Sequence, residues 1–258
     1  MLFVGIFTFK SYSQRLPQIQ QVSVRAPENI KIDGVLNEWS NKFLVAYNSA
    51  NRIYYAISND DENLYITMRG LGTRVAIKAL VGGITITISH SLERKSRTKD
   101  KRNVTLIFPV PQADTTISHV TGLIRENNLL YDDDKTNRKK LDSIEQITNT
   151  RMSKVIKELK VFGVKEIEDT TISVYNTLGI KAMAQFTWRQ PVFEIAIPLK
   201  YLNLAVGVET TFSYNIKLTG EPFSPSLNGV KLLDPTPDNM YIMAPTDFWG
   251  EYTLAKKP

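Results

Sequence analysis

Short segments in which β-branched and aromatic residues alternate with polar residues recur along this chain, and they limit its fold more than any other feature. A period of two residues is typical of strands that bury one face. The clearest examples lie at 52–60, 63–70, 84–89, 104–109, 170–176, 180–188, 191–198, 210–218 and 248–255. Because sandwiches of about 200–250 residues commonly form one domain, we predict a mainly β fold, a jelly-roll-like antiparallel β-sandwich, over residues 14–258.

The middle of the chain has a different pattern. Residues 134–162 contain no proline or glycine, and their apolar residues recur at steps of three, four or multiples of these. That spacing predicts one long amphipathic helix between about 135 and 162, inserted in the sandwich and lying against a sheet. A helix on a membrane surface or against a partner protein is the alternative. Residues 72–83 fit either a short helix or a strand, and 220–247 form a long polar, proline-rich loop.

The stretch "IKIDGVLNEW" at 30–39 predicts a strand, a tight turn and about one helical turn. Glycine at 34 accepts a positive φ, and the Asp33 side chain can bond the turn backbone. Leu36 and Trp39 lie three residues apart and share a face. We therefore expect Trp39 to be buried with Ile30 and Ile32. A sugar-stacking role for Trp39 is the alternative.

These residues also resemble a known family. "IKIDGVLNEW", the strand pair containing "NDDENLYITMR" and the closing "DFWGEYTL" resemble family 9 carbohydrate-binding modules and DOMON-like β-sandwiches. The segment "ISVYNTLGIKAMAQFTW" with "VFEIAIPLKYL" resembles a group of exported proteins from Bacteroidetes-type bacteria. The resemblance implies an antiparallel sandwich of about ten or more strands. In the sugar-binding members, tryptophans hold a terminal sugar ring and calcium supports loops.

A glycan site is predicted at the turn that contains Trp188, Arg189 and Gln190. The chain has three tryptophans, and Trp39 and Trp249 lie in the fold-marking ends, where we expect them in the core. Trp188 is then left as a stacking platform, and a guanidinium and an amide beside it can bond sugar hydroxyls. A hairpin tryptophan folded over the sheet edge is the other interpretation.

Metal and catalytic sites have weaker signals. Carboxylates at 132–134 or in "NDDEN" (59–63) could hold a structural calcium, but ligand spacing with a bend glycine is absent, and a helix start and a turn explain them better. His90 and His119 are the only histidines and lie far apart in sequence. No nucleophile elbow or phosphate loop appears. We predict a protein without cofactor or metal that is not an enzyme.

Charge, cysteine content and the first residues bear on location and partners. The net charge of +6 is concentrated in "ERKSRTKDKR" (93–102), which has no aromatic residues and predicts a solvated turn, not a nucleic-acid site. Residues 1–13 resemble the end of a signal peptide, although an apolar first strand is the alternative. From this segment we predict export to the periplasm or the exterior. The chain has no cysteine and no later stretch long and apolar enough for a membrane span, so we predict neither disulfides nor a spanning helix.

Two functions follow from these patterns. The first is a non-catalytic carbohydrate-binding module of the bacterial cell envelope that binds a glycan by aromatic stacking. The second is an envelope scaffold that meets another protein through the amphipathic helix and the basic loop at 93–102, with no glycan ligand.

Overall fold

The structure is a computed structural model that describes residues 15–39, 44–111, 115–131, 138–207, 210–220 and 236–257. The signal peptide predicted at 1–13 lies outside these ranges, as does most of the polar loop predicted at 220–247. None of the helices in the described ranges is long and apolar enough to cross a membrane.

Two antiparallel sheets form the body of the described structure, which confirms the predicted mainly β fold. The strands are β1 (Ala46–Asn48), β2 (Ile53–Asn59), β3 (Asn63–Gly70), β4 (Ile84–Ser89), β5 (Val104–Ile107), β6 (Glu158–Phe162), β7 (Thr171–Ser173), β8 (Lys181–Thr187), β9 (Gln190–Pro198), β10 (Thr211–Leu218) and β11 (Thr246–Thr253). Sheet A has the order β1-β2-β3-β9-β8, and sheet B has the order β11-β10-β4-β5-β6-β7.

Alternation along each strand decides which side chains meet between the sheets. In β4, the isoleucines at 84, 86 and 88 are buried in the core, whereas Thr85 and Thr87 lie on the outer face. Tyr55 of sheet A and Tyr214 of sheet B meet in the core, with their hydroxyls 3.0 Å apart. The backbone N–H of Gln20 donates to the Tyr55 hydroxyl at 3.0 Å. The buried hydroxyls are therefore satisfied, and the N-terminal segment is tied to the core.

Four α-helices and one short 3-10 helix, Leu199–Leu202, accompany the sheets in the described ranges. The α-helices are α1 (Thr73–Gly82), α2 (Thr115–Tyr131), α3 (Arg138–Val155) and α4 (Pro237–Met243). The ambiguous segment at 72–83 is thus helical, and α1 carries the chain from β3 in sheet A to β4 in sheet B. α2, which no sequence pattern above predicted, packs against α1 and α3.

The single long amphipathic helix predicted at 135–162 is wrong. α3 ends at Val155, and β6 follows with exposure that alternates from residue to residue. Leu159 and Val161 are buried in the core, and β6 pairs with both β5 and β7. Strand pairing satisfies the backbone N–H and C=O groups that β5, β6 and β7 turn toward each other. If the helix continued, the groups of β5 on that side would have no hydrogen-bond partner.

Side-chain amides complete both sides of sheet A. The short β1 pairs only with residues 53–55 of β2. At Ile57, the Gln20 amide donates to the carbonyl at 2.8 Å and accepts from the N–H at 2.7 Å. On β8, Asn149 of α3 donates to the Phe186 carbonyl at 2.9 Å and accepts from its N–H at 2.8 Å. Each amide takes the place of a neighbouring strand, so these edge positions are closed to pairing with another chain.

The Asp-Gly turn of the opening motif closes over a buried carboxylate. Gly34 has a φ of +80°, and the Val35 N–H donates to Asp33 Oδ1 at 2.8 Å, as predicted. The backbone N–H groups of Asp33 and Gly34 also donate to Glu194 Oε2, at 3.1 and 2.8 Å. Glu194 lies on β9 and is completely buried. The turn therefore supplies two fixed donors to a buried carboxyl group on the outer face of sheet A.

Trp39 is buried, with 6% of its surface exposed, which confirms its predicted burial. Its neighbour, however, was not predicted: the indole lies near the Glu194 carboxyl and favours the charged form of that group. The strand predicted at 30–32 is wrong, because these residues form no strand and Ile30 and Ile32 are only half-buried. Trp39 thus covers a polar group on the outer face of sheet A instead of filling the space between the sheets.

Burial raises the pKa of Glu194 to about 7 from an ordinary value of 4.5, although the backbone donors of Gly34 and Asp33 and the indole of Trp39 favour its charged form. The folded protein therefore holds this proton up to about pH 7, whereas the unfolded chain loses it near 4.5. Stability should fall as the pH rises through this window and then level off.

The Asn149→Ala variant should be less stable by about 1–3 kcal/mol, because it leaves the backbone groups of Phe186 without their partner. Denaturant unfolding would measure this loss. Gln146→Ala, an exposed position on the same helix, is the matched control and should change stability little. Equal stability of the two variants would contradict the role of Asn149 at this edge.

The free energy of unfolding of wild type should fall by about 3 kcal/mol between pH 4.5 and 7, and that of the Glu194→Gln variant should not. Glutamine keeps an oxygen for the two backbone donors but carries no titrating proton. Unfolding free energies measured across this range would test it, with exposed Glu158→Gln as control. Parallel curves for wild type and Glu194→Gln would show that the carboxyl does not titrate there.

Candidate functional site

The predicted glycan-binding residues lie at the β8–β9 hairpin. Trp188 and Arg189 form a two-residue turn with φ values of +50° and +65°, and Gln190 begins β9 opposite Thr187. Positive φ at both turn positions is the conformation that fits the twist of a hairpin. The turn therefore holds the three side chains at one corner of sheet A.

Trp188 is 57% exposed, so it is not folded into the sheet. Its backbone N–H donates to Glu145 Oε2 at 2.9 Å, and the Arg138 guanidinium lies 5.1 Å from the ring centroid. The start of α3 therefore positions the tryptophan from one side. The role of Trp188, Arg189 and Gln190 in ligand binding stays a prediction.

A groove with a volume of about 450 Å³ lies elsewhere, on the outer face of sheet B. One wall is the N-terminal segment at 19–23, and the floor is formed by the edge strand β11 together with Thr211 of β10. The side chains that line it are mostly polar, and they include Gln21, Ser23, Arg97, Thr211, Trp249 and Glu251. None of the hairpin residues at 188–190 takes part in it.

The C-terminal end of β11 and the N-terminal segment are fastened to each other and to sheet A. Ser23 Oγ donates to the Thr253 carbonyl at 2.6 Å. The Asn59 amide accepts from the Ala255 N–H at 2.7 Å and donates to its carbonyl at 3.0 Å. The wall and the floor of the groove are therefore held in a fixed relation before any ligand arrives.

Trp249 is half-buried on the floor of the groove, so its predicted place in the core is wrong. Its neighbours Phe248 and Tyr252 belong to the core, and the alternation of β11 turns Trp249 and Glu251 to the outer face. This alternation is visible in the sequence "FWGEYT" and was the signal that could have placed Trp249 correctly.

Arg97 covers the indole of Trp249, with its guanidinium carbon 4.3 Å from the ring centroid. The Arg97 carbonyl accepts from Ser89 Oγ at 3.0 Å and from Asn103 Nδ2 at 2.7 Å. Partial burial and the nearby Arg94 lower the pKa of Arg97, and Glu251 and Asp247 oppose this change. Arg97 thus fixes the basic loop against sheet B and brings a cation between two carboxylates.

The basic loop at 93–102 was predicted to be a solvated turn, and most of it is exposed. It is nevertheless folded: the Glu93 carbonyl accepts from the N–H groups of Ser96 and Arg97, both at 3.0 Å. Asp100 pairs with Arg102 at 2.9 Å. The loop is therefore a structured lobe beside the groove, with one of its cations turned inward.

Calcium was considered at two acidic segments. In "NDDEN", Asp60 Oδ1 accepts from the N–H groups of Glu62 and Asn63, at 2.8 and 2.6 Å, and Asp61 pairs with Arg25 at 2.9 Å. These carboxylates serve the turn between β2 and β3, and the segment at 132–134 lies outside the described residues. Within the described ranges, no group of three or more acidic or histidine side chains is arranged to hold a metal ion.

The chain matches none of the family models compared with it, and no curated protein sequence matches it. The resemblance to family 9 carbohydrate-binding modules stays a prediction from the motifs at the two ends. Function must therefore be inferred from the chemistry of the groove beside Trp249.

Proposed function

We propose that the protein is an exported, non-catalytic carbohydrate-binding module and that it binds a glycan in the groove beside Trp249. The observation that carries this proposal is an indole on the floor of a polar groove, flanked by Arg97 and Glu251. An aromatic face stacks on the apolar face of a sugar ring. Charged and amide side chains around it can accept and donate bonds with the sugar hydroxyls.

Arg97 occupies the face of the indole that a sugar would use. A stacking ligand must share this face or displace the guanidinium. Glu251 and Asp247 lie near enough to act on the charge of Arg97, so they offer it alternative partners. Binding therefore exchanges one contact of the indole for another, and the affinity for a single ring should be weak, near the millimolar range.

The Trp249→Ala variant should lose glycan binding while Trp188→Ala retains it. Calorimetric titration of wild type and both variants with a panel of oligosaccharides would measure this, and near-ultraviolet circular dichroism would show that each variant is folded. Trp188 is the matched control because it is an exposed tryptophan outside the groove.

The opposite pattern would place the ligand at the β8–β9 hairpin, with Trp188, Arg189 and Gln190 as its contacts. If wild type binds no member of the panel, the carbohydrate-binding proposal fails. The envelope scaffold that uses the basic loop at 93–102 and α3 is then the better proposal.

A further inference from the structure

A continuous row of side chains crosses the outer face of sheet B, starting at the tryptophan in the groove. The register pairs Trp249 with Asn215, Asn215 with Thr87, Thr87 with Thr105, and Thr105 with Phe162. Residues paired across neighbouring strands point to the same face. The row therefore runs over five strands, from β11 to β6, with an aromatic ring at each end and hydroxyl and amide groups between them.

The row is accessible along most of its length. Phe162 is 40% exposed, and Trp249, Thr87 and Thr105 are half-buried. The hydroxyls of Thr87 and Thr105 lie 3.2 Å apart. Asn215 is buried, and its amide nitrogen donates to Asp247 Oδ2 and to the Phe248 carbonyl, both at 2.9 Å.

The basic loop forms a wall along one side of this row. The neighbouring pair of residues, Ser213 and Ser89, is completely buried, and Ser89 donates to the Arg97 carbonyl at 3.0 Å. The loop thus lies over the adjacent positions, and its Arg97 reaches one residue of the row, the indole of Trp249. A ligand that follows the row is guided on one side by this wall.

We infer that the groove and this row together bind an extended, linear glycan chain, with Trp249 and Phe162 stacking on sugar rings at its two ends. This inference rests on the proposed carbohydrate binding and adds the class of ligand. Strands lie about 4.8 Å apart, so four steps place the two aromatic residues about 19 Å apart. One sugar ring cannot reach both, whereas a chain of several rings can.

The chemistry between the two aromatic rings fits such a chain. The hydroxyls of Thr87 and Thr105 donate and accept, so they can bond the hydroxyls of successive sugars whichever way these point. Such contacts leave no buried charge unpaired when the ligand is neutral. The occupant is therefore a polyhydroxyl chain that crosses the strands.

Chain length tests this inference. Disaccharides and hexasaccharides of the cello-, xylo- and chito-oligosaccharide series would be titrated into wild type and the Phe162→Ala variant. The variant should bind the hexasaccharide about two- to tenfold more weakly, the contribution of one stacked ring, and the disaccharide unchanged. Tyr175→Ala, which removes a 74% exposed aromatic outside the row, is the matched control and should bind both like wild type.

A second variant tests the middle of the row. Thr105→Arg places a long side chain between the two rings and should weaken hexasaccharide binding alone, whereas Thr171→Arg, in the neighbouring row of the same face, should not. If Phe162→Ala and Thr105→Arg bind the hexasaccharide like wild type while Trp249→Ala loses binding, the row is not used and the groove alone binds the glycan. If wild type binds neither length, carbohydrate binding itself is refuted.

Discussion

Side-chain amides take the place of neighbouring strands at both sides of sheet A and at the chain segment that follows β11. Gln20, Asn149 and Asn59 each accept from the N–H and donate to the C=O of one residue, which is Ile57, Phe186 or Ala255 respectively. An amide carries one donor group and one acceptor in the geometry of a peptide bond, so it substitutes for a strand at a single position.

The groove exists because of the same fastenings. Asn59 joins the end of β2 to the residue after β11, and the N-terminal segment crosses from sheet A to the β11 edge of sheet B beside it. The wall at 19–23 is therefore part of the framework and not a loose tail. Closing the β2 side of sheet A and building one side of the groove are both consequences of the path of the N-terminal segment.

Much of the fold follows from the sequence, because strands were visible wherever apolar and polar residues alternate. The prediction of a helix was wrong at Leu159. Its spacing of four residues from Val155 fits a helix, but the segment forms a strand because it pairs with β5 and β7. The candidate site was harder to predict. The alternation of β11 shows that Trp249 faces away from Phe248 and Tyr252. Its contact with Arg97, however, joins residues about 150 positions apart, and no local pattern contains that information.

The row from Trp249 to Phe162 crosses a sheet, and sheets are not flat. Neighbouring strands rotate by roughly 20–25° with respect to each other, so four steps turn the direction of the outer face by about 80–100°. The rings at the two ends therefore do not face the same way. A flat, crystalline polysaccharide surface would touch one ring and miss the other, whereas a single soluble chain that twists about its own axis can meet both.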